Sequence, residues 1–282
     1  MAGPLSDPAT GGSAAPVPPP GLARAALLAT LALAVAAWAF ADQPLSPSLL
    51  AGFLLVYFPV VSLVTPTEGV DLGRKTTLYR VTGAMLLVLG ALSAWGWGWL
   101  PASAWSESLL TRPAWGDLGL QTLLLLGACL AVMAVFHVLG GALGWQERDL
   151  VRQLMPEGPQ EKRGFVVLSV AAGVGEEVAY RAFAPAYLLP WAGSYLVAAI
   201  PSAVAFGCLH MYQGTHGVFR TGVVGLVLAV GVAVTGSLWP AVAAHALLNV
   251  VVGLFLADVL LRNREGASDE RPVPPVTGGG AP

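Results

Sequence analysis

Charged residues are scarce in this chain. They make up only 11% of its 282 residues, whereas 56% are hydrophobic and the mean hydropathy is +0.71. A soluble domain usually carries about 25% charged residues. The composition therefore excludes an ordinary soluble protein and indicates an integral membrane protein, with the lipid bilayer as its first partner.

Cysteine, lysine and net charge are also low. The two cysteines, Cys129 and Cys208, lie in apolar segments and form neither a disulfide framework nor a CxxC metal motif. A net charge of −2 without a basic run predicts no nucleic-acid partner. Lysine occurs only at Lys75 and Lys162, while Ala, Gly, Pro and Arg abound. This bias favours a GC-rich bacterial source and hence the inner membrane.

The apolar stretches predict an all-α, polytopic bundle of about eight membrane-spanning helices. The predicted spans cover 22–41, 47–64, 78–100, 118–144, 164–189, 191–211, 218–236 and 238–261. The membrane domain is then 22–262, between a disordered N-terminal tail (1–21) and a disordered C-terminal tail (263–282). Ala39-Phe40-Ala41 resembles a signal-peptidase site, but the long leading region has no basic residue before Arg24, which favours a retained first helix.

The distribution of positive charge supports the count of eight. All Lys and Arg residues except Arg112 and Arg181 fall on one side of the membrane if there are eight spans. By the positive-inside rule, this side is the cytoplasm, and both termini lie there. One miscounted helix would scramble this agreement.

Three charges lie within the fifth predicted span, at Glu176, Glu177 and Arg181. A charge at that depth costs at least ~2.5–3.5 kcal/mol, so it indicates a function or a tight partner. Glu177 and Arg181 are four residues apart and can neutralise each other on one helical face. Glu176 is turned about 100° away from Glu177, and without a counter-ion of its own it can serve as a general base.

Two further groups of polar residues lie in later spans. His210 follows Phe206 by four residues in the sixth span, and Asn249 follows His245 by four residues in the eighth. If His210 faces Glu176, a water can be held between them, and His245 with Asn249 can donate hydrogen bonds to an oxyanion. Phe206 is expected to serve packing. These parts suit peptide hydrolysis: a base, a positioned water and an oxyanion hole.

Glu176-Glu177-x-x-x-Arg181, Phe206-x-x-x-His210 and His245-x-x-x-Asn249 together resemble the three-motif signature of the CPBP family. These CAAX-protease and bacteriocin-processing enzymes, also called the Abi family, are regarded as intramembrane glutamic proteases. The resemblance covers about 164–261. It implies that Glu176 activates water with the help of His210, that His245 and Asn249 stabilise the oxyanion, and that Glu177 and Arg181 hold the site.

The resemblance also implies a membrane-associated protein or peptide as substrate, and no cofactor or metal. The positive-inside rule, with His210 near a helix end, predicts a site open toward the cytoplasm. Eukaryotic members trim prenylated CAAX proteins, whereas bacterial relatives are linked to peptide processing, immunity and sorting. Neither the exact substrate nor the oligomeric state follows from it.

Other functions remain open from the residues alone. Glu176, His210 and His245 could bind zinc, although no HExxH motif is present. The scaffold could instead be a non-catalytic immunity or partner-binding protein, or a transporter, although no inverted repeat is visible.

Two expectations concern the geometry of the site. Glu176 lies ~18 Å along the fifth helix from its predicted start, whereas His210 lies at a helix end. The fifth helix must therefore start later, tilt or break for the two to share a cavity open to the cytoplasm. His216 is expected in a loop, exposed to solvent.

Overall fold

The structure is a computed structural model that describes residues 19–41, 43–67, 70–100, 109–145 and 148–257. Within these ranges the chain is mostly helical and contains no strand. The predicted all-α membrane bundle is confirmed. Most of both predicted tails lies outside the described residues, but Pro20 and Gly21 already belong to the first helix.

The α-helices of the described residues follow one another along the chain. They are α1 (Pro20–Ala41), α2 (Leu45–Gly52), α3 (Phe58–Val64), α4 (Lys75–Gly98), α5 (Trp115–Leu143), α6 (Asp149–Leu154), α7 (Pro159–Glu177), α8 (Ala184–Ala192), α9 (Tyr195–Cys208), α10 (Thr215–Thr235) and α11 (Trp239–Val251). Three π-helical segments, Phe53–Tyr57, Val178–Phe183 and Val252–Leu256, join or extend them. Because α2 and α3 are continuous through the first π segment, and α7 and α8 through the second, these pairs form single long helices.

Each of the eight predicted spans coincides with one such helical segment. Six candidate spans among the described residues are long and apolar enough to cross a membrane: Pro20–Ala39, Leu45–Val64, Lys75–Gly98, Trp115–Leu143, Thr215–Thr235 and Trp239–Leu256. The other two predicted spans are α7 with α8, which carries the charged motif, and α9, which has only 14 residues. Eight spans and cytoplasmic termini remain predictions.

Contacts between loops distinguish the two ends of the bundle. At one end, the Lys75 amino group lies 2.9 Å from Glu157, and the Tyr79 hydroxyl donates to the Leu154 carbonyl at 2.8 Å. At the other end, the Leu238 amide donates to Leu109 at 2.9 Å. These contacts group the connections before α4 and before α7 at one end, and those before α5 and before α11 at the other, as alternating spans require.

Glycines set the closest helix crossings. A Cβ on Gly90 of α4 would lie 2.8 Å from the Cα of Gly175 on α7, and a Cβ on Gly207 of α9 would lie 3.0 Å from the Cα of Gly222 on α10. Small residues allow helix backbones to approach this closely, which is how membrane helices associate in the absence of a hydrophobic driving force.

The motif helix was expected to start late, tilt or break near its polar residues. It begins early, at Pro159, and its irregularity is the π segment at the motif itself, near the polar residues. A second expectation is wrong. His216 is not in a solvated loop. It lies in the first turn of α10, is only 9% exposed, and stacks on Trp145 with ring centroids 6.1 Å apart.

Candidate active site

The three motifs lie on three helices that pack around the end of α7. The first motif runs from the last residues of α7 into the π segment Val178–Phe183, which we call the central π segment. The second lies on α9 and the residues that follow it, and the third lies on α11.

Two glycines just before the acids bring the neighbouring helices close. A Cβ on Gly173 would lie 2.8 Å from the Val242 carbonyl oxygen of α11, and a Cβ on Gly175 would lie 2.1 Å from the Leu86 carbonyl oxygen of α4. The α7 backbone thus touches α11 on one side and α4 on the other. This close approach to α11 brings His245 within reach of both acids.

Glu177 and Arg181 form the expected ion pair. Their Oε1 and Nη1 atoms are 2.8 Å apart, and the two side chains are 0% and 1% exposed. The guanidinium also lies over the Phe206 ring, 4.2 Å from its centroid, and its Nε donates to the Gly225 carbonyl at 3.4 Å. Phe206 therefore contacts the charged group directly, in addition to filling space.

His245 bridges the two acids. Its Nδ1 donates to Glu177 Oε1 at 2.7 Å, and its Nε2 lies 3.5 Å from Glu176 Oε2. A carboxylate only accepts hydrogen bonds, so Nδ1 carries a proton in this arrangement. The Glu176 side chain is 15% exposed and that of Glu177 is 0% exposed, so Glu176 is the more accessible acid.

His210 bonds to the backbone of its own helix and makes no direct hydrogen bond with Glu176. Its Nδ1 donates to the Phe206 carbonyl at 2.8 Å, and its ring lies 4.8 Å from that of Phe206. It makes neither an ion pair nor a hydrogen bond with Glu176; the imidazole next to Glu176 is that of His245. His210 and His245 both pack against Phe206, which is 6.0 Å from His245 between ring centroids. The His210 ring does not pair with Glu176 because its hydrogen bond to the Phe206 carbonyl holds it against its own helix.

Asn249 lies one turn beyond His245 on α11 and is half-buried. The structure therefore brings Glu176, Glu177, Arg181 and His245 into one polar cluster, with Phe206 and His210 packed against it and Asn249 beside it on the His245 helix. A cavity of about 440 Å³ lies elsewhere, among Trp145, Arg148 and His216, and no motif residue lines it. The expected cavity around Glu176 thus does not coincide with this one.

Among the described residues, no group of three or more His, Cys, Asp and Glu side chains is arranged to hold a metal ion. Glu177 Oε2, Arg181 Nη2 and the Tyr180 hydroxyl are buried without a hydrogen-bond partner there.

Sequence reasoning missed two residues that touch the motif. The Ser202 hydroxyl donates to the Tyr180 carbonyl at 2.6 Å, and the Tyr195 hydroxyl donates to the Arg181 carbonyl at 2.9 Å. The signal for them was present, because Pro185 has no amide proton and must leave a carbonyl of the preceding turn without its usual donor.

Residues 161–251 match the family model described as Type II CAAX prenyl endopeptidase Rce1-like. No curated protein and no solved structure shows a significant match to the chain. The matched segment contains all three motifs, from Glu176 to Asn249. Over these residues the chain is thus similar to the Rce1-like type II CAAX prenyl endopeptidases, in agreement with the resemblance that the three motifs indicated.

Proposed function

We propose that this protein is an intramembrane glutamic endopeptidase in which Glu176 is the general base that activates water. The observation that carries the proposal is the unequal environment of the two adjacent acids. Glu177 is fully buried and paired with both Arg181 and His245, whereas the Glu176 side chain is 15% exposed and 3.5 Å from its nearest imidazole nitrogen. A base must reach water and be free to take its proton, and Glu176 meets both conditions.

His210 assists this step from the second motif. Its Nδ1 proton is directed to the Phe206 carbonyl, so in the neutral ring Nε2 is a hydrogen-bond acceptor. An acceptor at this nitrogen can orient the attacking water by taking one of its hydrogen bonds while Glu176 takes the proton. Because His210 and Glu176 share no direct hydrogen bond, a water molecule or the substrate must lie between them when they act together.

His245 and Asn249 form the oxyanion hole. Because the Nδ1 proton of His245 is held by Glu177, the ring can donate from Nε2 only as the imidazolium. Carboxylates next to both ring nitrogens stabilise that positive charge, which then faces the developing oxyanion. The Asn249 amide adds a neutral donor one turn along α11. The Glu177–Arg181 pair holds the arrangement in place, and the scheme uses no metal.

The substrate class we propose is a peptide bond in a membrane-associated protein or peptide, cut near the cytoplasmic face of a bacterial inner membrane. The orientation rests on the basic residues of the connections before α4 and before α7, such as Arg74 and Arg152. A prenylated CAAX substrate is not part of the proposal.

The test compares peptide termini in membrane fractions from cells that lack the protein, or that carry wild type, Glu176→Gln or Val167→Ala. Val167 is 68% exposed on the lipid-facing side of the same helix, so its variant controls for general damage to α7. We expect new termini with wild type and Val167→Ala, and none with Glu176→Gln at equal protein level. Wild-type termini in the Glu176→Gln cells, or none in wild-type cells, would contradict the proposal.

Two further measurements distinguish the non-catalytic role and the zinc protease from this proposal. A phenotype that persists in Glu176→Gln cells would indicate a non-catalytic immunity or partner-binding role. Loss of cleavage by purified protein after chelation, with recovery on adding zinc, would indicate a zinc protease.

A further inference from the structure

Two buried carbonyls of the central π segment, those of Tyr180 and Arg181, each lose a helical donor. The Ala184 amide donates to Ala179 in the wider π register, five residues back. The next residue, Pro185, has no amide proton. The carbonyl of Tyr180 therefore loses its π-helical donor, and the carbonyl of Arg181 loses its α-helical donor.

Helix α9 supplies both missing donors. The Ser202 hydroxyl donates to the Tyr180 carbonyl at 2.6 Å, and the Tyr195 hydroxyl donates to the Arg181 carbonyl at 2.9 Å. Both side chains are buried, at 1% and 7% exposure. An unmet carbonyl in this dry interior is costly, so these two bonds decide whether the π segment is retained.

The donors lie on the face of α9 that carries the second motif. Ser202 is four residues before Phe206, which is four residues before His210, and Tyr195 is seven residues before Ser202. The Phe206 ring stacks beneath the Arg181 guanidinium, 4.2 Å away. The two hydroxyl bonds thus join the backbone of the first motif to the helix that presents the second.

We propose that Ser202 and Tyr195 are positioning residues that clamp the central π segment to α9, and so fix Glu176 and Arg181 relative to His210. This inference rests on the proposed function for its catalytic consequence. Its structural consequence, a π segment that opens without the clamp, can be measured whether or not the protein cleaves a peptide.

The structural arm is amide hydrogen exchange of Val178–Ala184 in the full-length protein in lipid nanodiscs. Ser202→Ala and Tyr195→Phe each remove one hydroxyl and little volume. We expect exchange in this segment to become roughly 5- to 100-fold faster in each variant, the range that follows from leaving one buried carbonyl unmet. Tyr187→Phe is the matched control. It removes a buried hydroxyl that donates to Ser48 on α2 at 2.9 Å and not to a carbonyl of the π segment, and the ring stays against Phe183, so this exchange should not change.

A rescue variant distinguishes the clamp from general packing. Pro185→Ala restores a backbone amide that can donate to the Tyr180 carbonyl in the π register. In the double variant Ser202→Ala/Pro185→Ala, the exchange rate of Val178–Ala184 should lie within about threefold of the rate in Pro185→Ala alone. Exchange in Ser202→Ala no faster than in Tyr187→Phe, or a double variant without recovery, would overturn the clamp.

The catalytic arm uses a peptide identified by the comparison of termini. Loss of the clamp should lower kcat by about tenfold or more with little change in KM, because misplaced catalytic groups slow the chemical step. Pro185→Ala should restore kcat in the Ser202→Ala background. Faster exchange with unchanged kcat would overturn the positioning role, whereas cleavage by Glu176→Gln protein would reject the proposed function and leave the exchange result intact.

Discussion

The Glu177–Arg181 pair offers the sharpest prediction about stability. In Glu177→Gln the side chain keeps its shape, and its amide oxygen can still accept the proton of His245 Nδ1, so the change removes chiefly the negative charge. Arg181, which is 1% exposed, is then left as a buried charge without its partner. Breaking a buried pair in this way costs ~3–5 kcal/mol. At ~2–4 °C per kcal/mol for a domain of this size, Tm should fall by roughly 6–20 °C.

The measurement is thermal unfolding of the purified protein in one detergent at pH 7 and a fixed scan rate. The control is Glu157→Gln, which removes an ion pair of similar length, 2.9 Å to Lys75, with the Glu157 side chain 83% exposed. The hydrogen bond from Lys75 lowers the pKa of the Glu157 carboxyl, so any contribution of this pair is present at pH 7 and lost as the pH falls through that lowered value. Solvent screening makes that contribution small, and Tm should not change.

A double variant completes the argument. Glu177→Gln with Arg181→Met removes both charges and keeps an apolar stem against Phe206, so Tm should recover most of the loss. If Glu177→Gln shifts Tm no more than Glu157→Gln, or if the double variant is less stable than either single variant, the pair is not the buried and mutually compensated unit described above.

Two glycine substitutions extend the predictions. Gly175→Ala places a Cβ 2.1 Å from the Leu86 carbonyl oxygen, so α4 and α7 must separate, and folded protein in the membrane should fall sharply. Gly98→Ala, where nothing lies within 4 Å of the added carbon, is its control and should be tolerated when the two are compared by size-exclusion chromatography. Gly225→Ala places a Cβ 2.9 Å from Arg181 Nη2, so the guanidinium must shift. Cleavage should drop, while the free energy of unfolding falls by only about 1–3 kcal/mol. Equal cleavage in Gly225→Ala and wild type would show that the guanidinium position is not important.

The helical architecture was predictable because its causes are local. A span needs about 20 apolar residues, and that length is visible in the chain without knowledge of the neighbours. The helix over 75–98 was predicted to within a few residues for this reason. The Glu177–Arg181 pair was predictable as well, since a spacing of four fixes two side chains on one face.

The partners across helices were not predictable in the same way. The spacing of residues within each motif does not determine how α9 and α11 are rotated relative to α7. It therefore could not show which imidazole lies beside Glu176. His245 takes that place because Gly173 lets α11 approach α7, while the His210 ring is held by the carbonyl of Phe206. The burial of His216 also depends on a partner distant in sequence, Trp145.

The backbone around Glu176 and Glu177 is fixed near the point where the helix changes register. The α-helical hydrogen bonding ends at Glu177, and the wider π segment that follows frees carbonyls which a continuous α-helix would have used. Those carbonyls accept hydrogen bonds from α9. Just before the acids, Gly173 packs closely against α11 and Gly175 against α4. The backbone around the acids is therefore held by three helices. A backbone held this firmly can bury one acid with its cation and still leave the neighbouring acid 15% exposed. If the π segment relaxed to a regular α-helix, the residues after Glu177 would rotate relative to those before it, and the Arg181 guanidinium would shift relative to the Phe206 ring. The rotation of about 100° between Glu176 and Glu177 gives the two carboxylates different environments, and the π segment sets the position of the residues that follow them.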